Sequence, residues 1–150
     1  MNEIQAGGDG QTKGGRAINI LLWIVQVLLA FSFGMAGFTK AFQPMEAVVQ
    51  SMPWAADVTP PMVRFIGISE FLAAIGLIVP ALTRIRPQLT AFAGLGLAVV
   101  MASASVFHLW RGELTAVPFT GIFLAMAAFV AYGRWKLVPF STKEKSEALN

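Results

Sequence analysis

A chain of 150 residues in which 56% are hydrophobic and 13% charged, with a mean hydropathy of +0.66, is not a water-soluble domain, because such domains carry about a quarter charged residues. The absence of cysteine excludes a dithiol relay, a thiolate nucleophile and an iron–sulfur cluster. A single histidine, His108, excludes a paired-histidine haem within the chain and leaves no ligand set for a structural metal site of the usual kind.

The chain opens on MNEIQAGGDGQTKGGR, a glycine-rich polar stretch, and residues 1–17 read as a disordered tail. Residues 18–38 follow without a formal charge, and about 20 helical residues suffice to cross a bilayer core. The stretch is longer than the apolar core of a secretory signal, about 7–15 residues, so it is read as a retained span. The connection that follows contains PMEAVVQSMPWAADVTPP, in which Met45, Val48, Val49 and Met52 recur at helical spacing. Pro44 suits a first helical position and Trp54 a membrane boundary. A short interfacial helix is expected here, lying over the mouth of the bundle as a lid or as a plain amphipathic connector.

Residues 62–82 form the second span, which Pro80 is expected to help end. Residues 88–110 and 114–133 form the third and fourth, again uncharged. Pro118 lies near the start of the fourth, where a missing N–H costs little. Small residues recur in the first span at Ala30 and Gly34, with Gly37 a turn further, and in the third at Gly94, Ala98 and Ala102. Such stripes serve close packing within a bundle or a homodimer face. Residues 136–150 read as a basic tail. The expected fold is all-α: a polytopic membrane protein whose residues 18–135 form a four-transmembrane-helix bundle, with a short interfacial helix between spans one and two.

With four spans, Lys13, Arg16, Arg84, Arg86, Arg134, Lys136, Lys143 and Lys145 fall on one side of the membrane, against Lys40, Arg64 and Arg111 on the other. Basic loops stay in the cytoplasm, so both termini are expected there, which in a bacterium means the inner membrane. This bias accounts for the pI near 9.7 and calls for no nucleic-acid partner.

Polar residues inside such spans cost about 2.5–3.5 kcal/mol and usually face a partner or cavity. Glu70 lies eight residues into the second span, roughly 12 Å along it. Chain direction brings Lys40, Arg64, Glu70, His108 and Arg111 to the outer side together. They are the candidate ligand-binding or proton-relay residues. The plainer readings are that Lys40, Arg64 and Arg111 snorkel to headgroups, that His108 is a solvated ring, and that Glu70 forms an ion pair with Lys40. Gln26 reads as a lone interhelical hydrogen-bonding residue, apart from that cluster.

Three short motifs then acquire a joint meaning: GFTK (Gly37 to Lys40), GISEFLAAIGLIVP (Gly67 to Pro80) and ASASVFH (Ala102 to His108). In order and placement they resemble the DoxX-like family of small four-helix membrane proteins, over about residues 18–135. The resemblance implies a four-helix bundle but no single activity. Some relatives are subunits linked to a thiosulfate:quinone oxidoreductase, and others assist the assembly of membrane partners. Two functions stay open: a redox-associated subunit whose Lys40–Glu70–His108 cluster binds a quinone head group or relays protons, and an accessory subunit packed against a larger membrane complex. No redox centre can be built from these residues alone, so the first needs a bound quinone or a partner.

Overall fold

The computed structural model describes residues 13–140. Helix α1 spans Lys13–Phe42, α2 Met45–Ser51, α3 Pro60–Thr83, α4 Gln88–Trp110 and α5 Val117–Tyr132. A 3₁₀ turn, Pro53–Asp57, follows α2, and a π-helical turn, Gly133–Leu137, extends α5. Among the described residues there is no strand. Four of these helices, counting α5 with its extension, are long and apolar enough to cross a membrane, and the chain is an integral membrane protein.

Helix α1 begins five residues before the apolar run, so residues 13–17 belong to it and not to a tail. The helix continues through them although Gly14 and Gly15 each cost about 1 kcal/mol relative to alanine, because propagating an already nucleated helix is far easier than starting one. At the other end Lys136 and Leu137 sit in the π turn. Of the two expected tails, residues 1–12 and 141–150 lie outside the described residues. Pro80 does not end the second span, since α3 continues to Thr83. Arg84 stops it by turning left-handed (φ 56°) and donating its N–H to Pro80 O at 3.0 Å. Pro44 precedes α2 as its cap residue and is not its first helical residue.

The spans form a closed square. Helix α1 lies along α3 and α4 along α5, while α3 against α4 and α1 against α5 complete the ring. Leu22, Leu29, Phe33, Leu77, Leu97, Ala127 and Val130 fill its centre. Phe31, Leu72, Val99 and Ile122 point outward, one on each span, as lipid allows and water would not. The small residue Gly94 serves packing within the bundle: a Cβ there would lie 3.0 Å from Ala131 N and 3.2 Å from Ala127 O on α5.

Candidate functional site

The short helix closes one end of the square. Its expected stripe faces inward, with Val48 buried against Ala55 and Val63, and with Met45, Val49, Trp54 and Val58 around them. Helix α2 and the 3₁₀ turn thus form a packed lid over the ends of α1 and α3.

Beneath the lid, the two Gly-x-x-charged motifs interlock. A Cβ on Gly67 would lie 2.6 Å from Lys40 Cβ and 2.7 Å from Ala41 N, and one on Gly37 would lie 2.6 Å from Phe71 N. Real Cβ atoms cannot approach that closely, so only glycine lets the two antiparallel backbones touch. Lys40 therefore rests over Gly67, one turn from Glu70, and Glu70 directly precedes Phe71, whose N covers Gly37. Lys40 Nζ reaches Glu70 Oε2 at 2.5 Å, with the residues 6% and 2% exposed. Trp54 of the lid covers the ammonium, its ring centroid 5.6 Å away. Arg64 does not simply snorkel. Its Nη1 donates to Lys40 O at 2.7 Å, satisfying one of the carbonyls left open at the end of α1.

His108 and Arg111 belong to a different group. His108 Nδ1 lies 2.5 Å from Glu113 Oε2, and Arg111 Nε donates to Glu113 Oε1 at 2.9 Å. Arg111 also pairs with Asp57 of the lid. Arg111 first, and His108 second, hold the Glu113 carboxyl below the ordinary carboxylate range. Two rings connect this group to the buried pair: Trp54 meets Phe107 edge-on at 6.3 Å, and Phe107 meets His108 at 5.9 Å. The single outer cluster expected from chain direction is thus two ion-paired groups joined by an aromatic contact. His108 takes Glu113, not Glu70, as its partner. Glu113 could have been suspected from RGE, five residues past the histidine. Asp57 could not, because 54 residues separate it from Arg111.

The opposite end holds a polar group that sequence reasoning missed. Gln26 is not alone: its Nε2 donates to Leu77 O at 2.9 Å and its Oε1 accepts from Arg134 Nε at 2.5 Å. Arg134, counted as a loop cation, is 3% exposed. The signal was the preceding glycine. A Cβ on Gly133 would lie 2.5 Å from Leu22 Cδ2, so α5 presses onto α1 there and carries Arg134 inward.

Grooves mark the surface of the described residues, three of them well formed. One of 530 Å³ runs between α3 and α4 over Ala73, Gly76, Ala93 and Gly96, one of 880 Å³ lies between the lid helix and the 3₁₀ turn, and one of 330 Å³ lies beside Trp23 and Phe140. None of the three is lined by Lys40, Glu70 or His108.

The interlocked glycines, with the charged pair they place, are the geometric content of the GFTK and GISE motifs. The model of the DoxX-like family matches residues 24–130, most of the chain, and takes in all three motifs. The chain belongs to the DoxX-like family. No curated protein and no solved structure matches it. For this DoxX-like protein the family match takes in part or all of each of the four spans and the whole lid, and stops short of Arg134.

Proposed function

We propose that this DoxX-like protein is a non-catalytic accessory subunit of a larger membrane complex, inserted in a bacterial inner membrane with both termini cytoplasmic. The observation that carries this reading is the Lys40–Glu70 pair, closed at 2.5 Å, almost fully buried and covered by Trp54. Each charge is spent on the other. A proton relay or head-group site needs groups that a ligand can reach, whereas a sealed pair fixes how α1 meets α3. The Asp57–Arg111–Glu113 chain does the same for the lid, tying it to the α4–α5 turn. The partner's place is the groove between α3 and α4, whose floor of Ala73, Gly76, Ala93 and Gly96 lets another transmembrane helix approach closely.

The orientation has its own test. The chain contains no cysteine, so single cysteines at Ser51 and Lys136 report unambiguously. In intact cells a membrane-impermeant maleimide is expected to label position 51 and not 136, and the reverse pattern would invert the topology.

One observation favours the quinone-associated reading. His108 Nδ1 is held by Glu113, while Nε2 has no hydrogen-bond partner among the described residues. An imidazole so oriented can exchange a proton with, or donate to, a quinone carbonyl. His108, positioned by Glu113, is the residue that would hold such a head group. The two readings separate on paired variants. For an accessory subunit, His108→Phe leaves partner co-purification unchanged, the protein binds no decyl-ubiquinone, and Gly96→Leu releases the partner. A Cβ on Gly96 meets nothing within 4 Å, so that change fills the groove without straining the bundle. Saturable decyl-ubiquinone binding that His108→Phe abolishes, with Gly96→Leu silent, would replace the accessory role with the redox one.

A further inference from the structure

Among the described residues, the end of the bundle opposite the lid is electrostatically one-sided. The acidic residues among those described are Glu46, Asp57, Glu70 and Glu113, all in the lid or the groups beneath it. The other end carries Lys13, Arg16, Arg84, Arg86, Arg134 and Lys136 with no described carboxylate. Arg134 is the sharpest case. It is buried, and among the described residues its hydrogen bonds go to neutral acceptors: Gln26, Asn19 Oδ1 at 2.7 Å and Val138 O at 3.5 Å. Phe140 lies 4.1 Å from its guanidinium carbon, and Nη2 has no partner among the described residues. A buried cation without a counter-charge is costly, and it attracts an anion strongly through a medium that screens poorly.

The 330 Å³ groove lies against this cage, lined by Asn19, Trp23 and Phe140, which all touch Arg134, and by the exposed Arg84. Arginine can only donate, so Asn19 must turn its Oδ1 to Arg134 and keep its Nδ2 free as a donor. We infer that this groove binds the phosphate of an anionic phospholipid, taken by Asn19 Nδ2 and the Arg84 guanidinium and attracted by the charge of Arg134, which no described carboxylate offsets. The rest of the lining, Ala81, Leu82, Val138 and Pro139, is apolar. It suits the glycerol and first methylenes of a lipid and gives nothing to inorganic phosphate. The level also fits, since the groove opens where α1 and α3 leave the apolar layer, at headgroup depth.

The test is native mass spectrometry of the full-length protein in mild detergent, with phosphatidylglycerol and phosphatidylcholine supplied in equal amounts. One phosphatidylglycerol is expected to be retained in preference. Arg84→Gln is expected to weaken its retention about fivefold, the worth of one cation near a lipid surface. Lys136→Gln removes the same charge from the same end, away from the groove, and leaves retention unchanged. Arg84 and Lys136 are both exposed, so neither variant endangers the fold. Equal retention of the two lipids overturns the site. Equal loss in both variants also overturns it, replacing a site with diffuse attraction. Displacement of the lipid by millimolar inorganic phosphate would identify the ligand as the free anion instead.

Discussion

Gly67→Ala is expected to be among the most damaging single-methyl additions this protein can suffer. The new Cβ would meet Lys40 Cβ at 2.6 Å, Ala41 N at 2.7 Å and Lys40 C at 2.8 Å. Two of these are backbone atoms in a long helix, so no flexible side chain can swing away. Helices α1 and α3 must separate along their main line of packing. Overpacking of this kind costs about 1–3 kcal/mol, occasionally more, and separation also stretches the Lys40–Glu70 pair. Gly37→Ala is expected to behave alike, since Phe71 N would lie 2.6 Å away. The internal comparison is Gly96→Ala and Gly121→Ala, where a Cβ meets nothing within 4 Å. Those changes should be neutral or stabilising by up to about 1 kcal/mol, because alanine is the better helix former. Thermal unfolding in detergent, followed by monodisperse yield on size exclusion, checks the set. If Gly67→Ala melted with Gly96→Ala, the close crossing would be wrong.

The second large effect concerns the charges that this crossing aligns. Glu70→Gln leaves the Lys40 ammonium buried without a counter-charge, and Lys40→Met leaves the Glu70 carboxylate in the same state. Breaking a buried pair from one side costs about 3–5 kcal/mol. Removing both sides leaves no orphaned charge, so the double variant should recover most of the loss and could match the parent in stability. The observable is a coupling energy from the four-protein cycle. Additive losses would show that the two charges do not meet. Recovery would also agree with the accessory role, because a relay depends on the charges themselves and a lock only on their mutual neutralisation.

How much of this could be read without coordinates follows from what a membrane demands. In lipid the backbone must satisfy itself, so apolar runs of span length become helices, and the four spans follow from composition alone. Depth follows too. Residues are counted at about 1.5 Å each, and the alternation of chain direction puts Lys40, Arg64, Glu70, His108 and Arg111 at one end. The lid stripe was legible because it is amphipathic: Val48 must hide while Glu46 and Gln50 stay exposed. Lys40 with Glu70 could be named as a pair because Glu70 is the one acid within a span and Lys40 lies at its depth.

What depth does not carry is azimuth, the direction each side chain takes around its helix. A span bathed in lipid is apolar on every face, so no polar side marks which face turns inward. Only the packed helices decide that. Gly37 and Gly67 rotate α1 and α3 until Lys40 meets Glu70, and Gly133 lets α5 lean on Leu22 until Arg134 disappears beside Gln26. The turn through Gly112 (φ 73°) brings Glu113 back to His108, and the packed lid brings Asp57 to Arg111. The sequence by itself determined the class, the spans, the lid and the level of each charge. The tertiary structure decided which charges touch, because that depends on how closely two backbones can approach and on the facing helix as much as on the residue itself.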